Sequence, residues 1–379
     1  NVEYTLVQGN YFKRGSGVAW FDVQDSSVCA AGNQVVNNIV DSCSNSAFYF
    51  FSQVHPIVKG NKISPIFDHM KPPIYIEHAK NGAYVGYNMV ADTVIHGDDE
   101  TIGVYDIQSD SLNPVLIVNN IARNFNGTST YVATACGVTG CTFISVYFNT
   151  FSATASNSTW LSYNTHGFTL SNCIHVDIRN NIFMSNLARP VNYYFGNTQD
   201  TIVGYNDYYS ALSSYTPWVS MTDPGIISVD PDFVSMTDLH LNGHTPANDS
   251  IISHGTPVFG ITDDIDGDVR NVLNPTIGAD EVDSTFGSGI PVFYSNNSFA
   301  VYPNPAGTFF YVNCSAENNS LKHLQIELFD LTGKLVLKKN LATNISVVQI
   351  EDLSAGFYFY RIVSGEEIEQ SGKIVKGEE

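Results

Sequence analysis

Through the first 210 residues, apolar and polar positions follow one short pattern that returns eight times. Its copies are Val7-Gln8-Gly9-Asn10, Val35-Val36-Asn37-Asn38, Val58-Lys59-Gly60-Asn61, Val85-Gly86-Tyr87-Asn88, Ile117-Val118-Asn119-Asn120, Val146-Tyr147-Phe148-Asn149, Ile178-Arg179-Asn180-Asn181 and Val203-Gly204-Tyr205-Asn206. The closing asparagines lie 28, 23, 27, 32, 29, 32 and 25 residues apart. Three positions before each stands Val or Ile. Two positions after come Phe12, Val40, Ile63, Val90, Ala122, Phe151, Phe183 and Tyr208, of which Tyr208 alone carries a polar group. A period of this size with a fixed inward pattern predicts a solenoid, one coil to each copy.

The residue types suit such a coil. A β-branched residue at one register of every coil favours a strand that stacks on its copies above and below. Asparagine tolerates the left-handed backbone of a sharp corner. Its amide can also bond to the same amide one coil away, as in stacked cross-β structures. Coils would sit ~4.8 Å apart, and short parallel connections predict a right-handed winding. No helical periodicity interrupts residues 1 to about 220. The longer stretches Ile95–Asn113 and Asn124–Tyr131 are expected to project as loops, which in solenoids often form the binding face. The chain starts at Asn1, already inside the first coil, without an initiator Met or a signal peptide. Processing or truncation ahead of Asn1 is therefore expected, as is an open sheet edge able to recruit another chain.

From Asp223 the texture changes. Asp230-Pro231-Asp232-Phe233, Asp238-Leu239-His240-Leu241, Thr245-Pro246-Ala247-Asn248-Asp249, Asp264-Ile265-Asp266-Gly267 and Ile277-Gly278-Ala279-Asp280-Glu281 follow in order. This succession resembles the closing segment of bacterial right-handed parallel β-helix repeat proteins, with Thr245 where Ser is usual. The resemblance implies fold and not chemistry. A Gly/Ser/Pro-containing linker over 284–298 leads into alternating strands and hairpin turns that predict a small antiparallel β-sandwich. The tail carries Val301-Tyr302-Pro303-Asn304-Pro305, Leu328-Phe329-Asp330-Leu331-Thr332-Gly333-Lys334, Leu353-Ser354-Ala355-Gly356-Phe357-Tyr358 and Gly372-Lys373-Ile374-Val375-Lys376. These four motifs closely resemble the type A C-terminal sorting domain of cargo of the Bacteroidota type IX secretion system. By that resemblance Pro303, Asn304, Pro305, Asp330, Gly333, Gly356, Tyr358, Gly372 and Lys373 form the sorting signal. The resemblance also implies export across the outer membrane, handling by its barrel-type shuttle or translocon proteins, and a tail that is removed or used for anchoring.

The fold class is therefore all-β: a right-handed parallel β-helix over 1–283, closing from about 223, then the linker and a sandwich over 299–379. Charge narrows the partners. Lys and Arg number 17 against 37 Asp and Glu; the first 298 residues hold 10 and 27 of these. Such acidity argues against nucleic acid and anionic membranes. No stretch reaches the ~20 apolar residues of a membrane-spanning helix.

Candidate chemistry is sparse. Asp98, Asp99 and Glu100, beside His96, offer carboxylates for Ca²⁺ or simply a solvated acidic loop. Glu77, His78 and Lys80 form a second cluster. Asp263, Asp264, Asp266 and Asp268 surround Gly267, but Asn274 stands where a calcium loop would have its bidentate Glu, so a turn is expected. Lys59 and Arg179 share a register but would lie ~19 Å apart, too far for one catalytic centre. Asp106 and Asp110 cannot be placed on a common face, and His55, His69, His166 and His175 are read as sharing no register. Cys141 and Cys173 both lie eight residues before a ladder asparagine, close enough either for a disulfide or for two buried thiols. Asp92-Thr93-Val94, Asp110-Ser111-Leu112, Asp200-Thr201-Ile202 and Asp249-Ser250-Ile251 look like Bacteroidota O-glycan acceptor sites.

No cofactor is expected beyond that Ca²⁺. The expectation is a secreted or surface-displayed, non-catalytic protein, adhesin-like, glycan-binding or structural. Trp20, Trp160, Tyr163 and Trp218 are available either to stack on sugar rings or to pack in the core. Two other readings stay open: a polysaccharide lyase or glycoside hydrolase on the same scaffold, and a subunit of an extracellular filament that self-associates through the open first coil.

Overall fold

The computed structural model describes residues 3–23, 29–64, 71–94, 99–126, 133–155, 165–187, 189–194, 198–211, 224–282, 299–302, 306–314, 324–330, 333–341, 343, 345–365 and 367–377. The chain forms two compact units, Asn1–Ser284 and Thr285–Glu379. The first is a parallel β-solenoid with three sheets. Eight strands, from Leu6–Gln8 to Gln199–Gly204, make the first sheet; eight, from Tyr11–Gly15 to Asp207–Ser210, make the second. Seven, from Ala19–Asp22 to Val191–Tyr194, make the third. Each coil visits the three in turn, so every strand pairs with its copy one coil away. Val7, Val35, Val58, Val85, Ile117, Val146, Ile178 and Val203 stand in one unbroken register. The stretch Ile95–Asn113 is not a plain loop. Within it Asp99–Tyr105 is a strand of the third sheet, because Ile102 and Val104 alternate inward onto Ile74, Ile76, Cys136 and Val138.

Side chains from all three sheets fill one continuous core. Val40, Ile63, Val90, Ala122, Phe151, Phe183 and Tyr208 line it from the second sheet, and Phe48, Phe50, Phe168 and Leu170 from the third. Rings meet both across the core, as Phe168 of the third sheet stacks on Phe183 of the second at 5.3 Å, and along a register, as Phe183 packs on Tyr208 at 5.5 Å. Burying each such side chain contributes about 1.5–3 kcal/mol. Tyr208 keeps its hydroxyl partnered in this apolar setting by accepting from Asn206 Nδ2 at 3.2 Å.

The asparagines sit at the corner between first and second sheets and form a one-way ladder. The backbone N–H and the Nδ2 of each one both donate to Oδ1 of the next, from Asn10 onto Asn38 (3.0 and 3.1 Å) through to Asn181 onto Asn206 (2.8 and 2.9 Å). The other Nδ2 proton reaches back to the preceding coil: Asn120 to Val85 O at 2.9 Å, Asn149 to Ile117 O at 2.9 Å. Only an amide of this length supplies an acceptor to the preceding coil and donors both ways. The left-handed backbone expected of these asparagines falls one residue earlier. Gly9, Asn37, Gly60, Tyr87, Asn119, Phe148, Asn180 and Tyr205 have φ between 51° and 68°. Turning that residue outward leaves the asparagine free to point in and bond. Tyr87, Phe148 and Tyr205 hold this conformation at a cost of about 1–2 kcal/mol each.

Residues 224–282 run back along the same corner as a strap. Tyr87 OH donates to Asp263 Oδ1 at 2.6 Å, and Asn180 Nδ2 donates to Thr256 O at 2.8 Å. The strap hairpin Phe233–Ser235/Asp238–Leu241 sets Leu239 in one apolar cluster with Ile121 and Ala279. Its clamp is Arg270, which is buried over the Phe148 ring at 4.0 Å. The guanidinium donates to Asp263 O (3.1 Å), Thr276 O (3.4 Å), Glu281 Oε2 (3.2 Å), Asn119 Oδ1 (2.9 Å), Gly278 O (3.0 Å) and Ala279 O (3.1 Å). Every face of the fork is used.

The second unit is a sandwich of two antiparallel sheets. Phe299–Tyr302, Phe309–Cys314 and Ile345–Gln349 form one; Leu335–Asn340, Leu324–Phe329, Gly356–Ser364 and Glu367–Lys376 form the other. Both bury their inner faces in one cluster that includes Phe310, Val312, Ile326, Leu328, Ile362 and Ile374. Asp330 builds a turn, accepting Gly333 N on its carbonyl (2.9 Å) and Lys334 N on Oδ1 (3.0 Å), with Gly333 at φ 80°. Tyr358 OH donates to Ser354 O at 2.8 Å and so pins the Gly356 strand entry. Gly372 lies directly under the Tyr360 ring, where a Cβ would stand 2.6 Å from Cζ. Lys373 pairs with Phe359 across the sheet. Pro303, Asn304 and Pro305 lie outside the described residues.

Two outcomes test these assignments. Asn120→Ala removes the acceptor of Asn88 N and strands Val85 O, both buried, so chemical denaturation should register a loss of about 2–5 kcal/mol. Asn10→Ala should lose under about 1 kcal/mol, since its amide is exposed. Equal losses would sink the ladder as a buried network. In the strap, Arg270→Gln leaves Glu281 buried without its cation and should cost about 3–5 kcal/mol. Arg270→Lys should recover part of that loss, and an unchanged unfolding midpoint in the Gln variant would show that the strap is held elsewhere.

Candidate binding groove on the first sheet

A second left-handed corner opens each first-sheet strand, six residues before the ladder asparagine. Tyr4, Gly32, His55, Gly82, Phe143, His175 and Asp200 occupy it with φ between 47° and 73°; Pro114 takes its place in the remaining coil. Glycine meets this demand without strain. In the last three coils the position instead carries Phe143, His175 and Asp200, side by side. Phe143 and His175 stack at 4.2 Å between ring centroids, 28° apart, and His175 Nδ1 lies 3.2 Å from Asp200 Oδ2. The three line an open groove of about 500 Å³ together with Ser145, Asp177 and Thr201. Its size falls within the range of small-ligand sites.

The groove floor is electrostatically settled. Asp177 is held by Arg179 through Nε (2.7 Å) and Nη2 (2.6 Å), and Tyr147 OH donates to its Oδ2 at 2.7 Å. Burial pushes the Tyr147 hydroxyl upward, and Asp177 pushes it further. With Arg179 neutralised by Asp177, the free charge facing the groove is the Asp200 carboxylate beside His175. The rim is apolar at Ile202, which is 61% exposed.

The residues singled out from sequence fall elsewhere. Glu100 lies on the outer face of the third sheet, covers Gly137 and accepts from Tyr105 OH at 2.7 Å. Asp98 lies outside the described residues, and so does the side chain of Asp99. Among the described residues, acidic and histidine groups converge in threes at Glu77, His78 and Asp106 and at Asp264, Asp266 and Asp280. They are largely spent on structure: Glu77 accepts from Tyr75 OH at 2.6 Å, and Asp264 accepts from Asp266 N, Asp268 N and Glu281 N at 2.8–2.9 Å. His55 and His175 do share a register, contrary to the first reading, but four coils separate them and no relay results.

Cys141 and Cys173 are free, buried thiols and form no disulfide. In-register parallel strands point neighbouring Cβ atoms the same way, ~4.8 Å apart, where a disulfide needs them nearer ~3.8 Å. Each thiol turns to its own backbone instead, Cys141 to Thr139 O at 3.3 Å and Cys173 to Ser171 O at 3.1 Å. Trp20 is 51% exposed and ends a row of rings on the third sheet, 5.1 Å from Tyr49, which lies 5.2 Å from Tyr75. Trp160, Tyr163 and Trp218 lie outside the described residues.

Comparison with known proteins bears on the tail. Residues 300–377 match the family model described as the secretion system C-terminal sorting domain. No curated protein and no solved structure matches the chain. The sorting domain implies interaction with the type IX secretion machinery and a Bacteroidota origin. A β-solenoid followed by this sorting domain is thus marked for export across the outer membrane, to the cell surface or beyond it.

Proposed function

We propose that the solenoid is a non-catalytic surface module that binds a neutral glycan in the Phe143–His175–Asp200 groove. The observation that carries this reading is the row of three adjacent side chains. Each is held on a left-handed backbone where glycine would be free of strain, and all three line one open groove. Backbone strain retained at neighbouring positions marks a surface put to use. The Phe143 ring suits the C–H face of a sugar. Ser145, Thr201 and the Asp200 carboxylate suit its hydroxyls. The acidic lining, on a chain of formal charge −20, repels uronates and sulfated sugars.

The absence of catalysis is argued from Asp177. A glycosidase needs two carboxyl groups ~5–10 Å apart with one able to carry a proton. Asp177 receives three hydrogen bonds, two of them from a guanidinium, which commit both of its oxygens to neighbours within the chain. The His175–Asp200 pair would orient a base, but among the described residues lining this groove there is no Lys or Arg to neutralise a uronate.

Titration calorimetry across a panel of neutral oligosaccharides should find saturable binding. Phe143→Ala should weaken it ~10-fold or more, equivalent to about 1.4 kcal/mol, and Asp200→Asn by less. Binding unchanged in Phe143→Ala, or none across the panel, removes the groove as the site. New reducing ends or unsaturated uronates released from any polysaccharide would overturn the non-catalytic assignment.

A further inference from the structure

The first 298 residues hold only ten Lys and Arg. Two of the ten, Lys62 and Arg123, line a groove of about 350 Å³ between the second sheet and the strap hairpin, and His240 of the hairpin lines it with them. Ala91 precedes Arg123 in register and leaves open space beside the guanidinium. One carboxylate, Asp238, lines the groove with these cations, and it is taken up by His240.

Arg123 is unlike Arg270, the buried guanidinium of this unit. Arg270 uses its whole fork on six acceptors. Among the described residues Arg123 enters no salt bridge, and its buried Nε finds no hydrogen-bond partner. Burial works against its charge, and the nearby Asp92 carboxylate only partly offsets that. A buried charged donor left unmade costs more than the ~1–3 kcal/mol of a neutral one, so an orphan of this kind points to an absent acceptor. The other charged groups at the groove are accounted for. His240 bonds Asp238 through Nδ1, and its Nε2 lies 3.0 Å from Asp266 Oδ2, out of line for a hydrogen bond. Asp280 lends a third negative field to that imidazole. Lys62 is exposed.

We propose that this groove binds an oxyanion, the carboxylate or sulfate group of a ligand, with Arg123 as the forked donor and Lys62 as the supporting cation. A planar guanidinium grips such a group through two parallel N–H bonds, which a lysine cannot reproduce. Thr237 on the hairpin wall offers a hydroxyl to the same ligand. The site lies on a different sheet from the neutral-glycan groove and stands independently of it.

The test uses the full chain at low ionic strength, titrated separately with sodium sulfate, sodium glucuronate and, as the control for ionic strength, sodium chloride. Calorimetry and thermal unfolding are both read. Sulfate, glucuronate or both should bind saturably and raise the unfolding temperature beyond the chloride control. A response to sulfate alone assigns a sulfate-type ligand, and a response to glucuronate assigns a carboxylate. Arg123→Gln should abolish binding, Arg123→Lys should weaken it ~10-fold, and Phe143→Ala should leave it intact. Because Arg123 is partly buried, the exposed Lys62→Gln is the second variant, with a loss of several-fold expected. No saturable response in the wild type, or equal responses in the wild type and both Gln variants, overturns the proposal.

Discussion

Register is the constraint on which the solenoid depends. Coils differ in length by up to nine residues between neighbouring asparagines, 23 against 32, yet each amide meets its neighbour at 2.9–3.1 Å along the middle of the stack. A one-residue slip in any coil would turn its apolar set outward and also break two amide bonds to the next coil. The ladder and the hydrophobic core therefore enforce the same alignment by separate means. All variation in length is displaced to the connections that leave the second strand or precede the first.

That alignment also decides where chemistry can sit. The left-handed residue before each asparagine projects outward, and the strap uses several of these projections, Tyr87, Asn119, Phe148 and Asn180, as its footholds. With the corner covered, the two flanking sheets present different surfaces. The first offers rings and carboxylates; the second, under the strap hairpin, offers cations. A protein this acidic keeps its few cations in defined roles. Arg179 is held by Asp177 and Arg270 is saturated inside the strap, while Arg123 stands apart.

Much of this was legible in the sequence, because a ladder seen eight times fixes register without any knowledge of the third dimension. Counting back six residues from Asn149, Asn181 and Asn206 already finds Phe143, His175 and Asp200, so the groove row was within reach of the pattern. What hid it was the corner itself, since nothing in Tyr4, Gly32 or Asp200 as residue types announces a shared backbone conformation. The third sheet was hidden too: its strands sit at varying distances from the asparagines, and one of them, Asp99–Tyr105, lay inside a stretch that looked like a loop. The strap was legible by motif but not by path. Its decisive contacts, such as Arg270 to Asn119, span 151 residues, and no local pattern encodes them.

The one-way ladder has a further consequence. Every coil hands the same amide donors forward and the same amide acceptor back, so any coil can be followed by any other without a mismatch at the joint. Deleting the whole span after Asn88 up to Asn120 would bring Asn88 against Asn149 with an identical set of bonding groups. The body is in effect a ruler graduated in steps of ~4.8 Å. Gene duplication or loss could lengthen or shorten it one graduation at a time, moving the surface features along the axis while leaving the joints as they were.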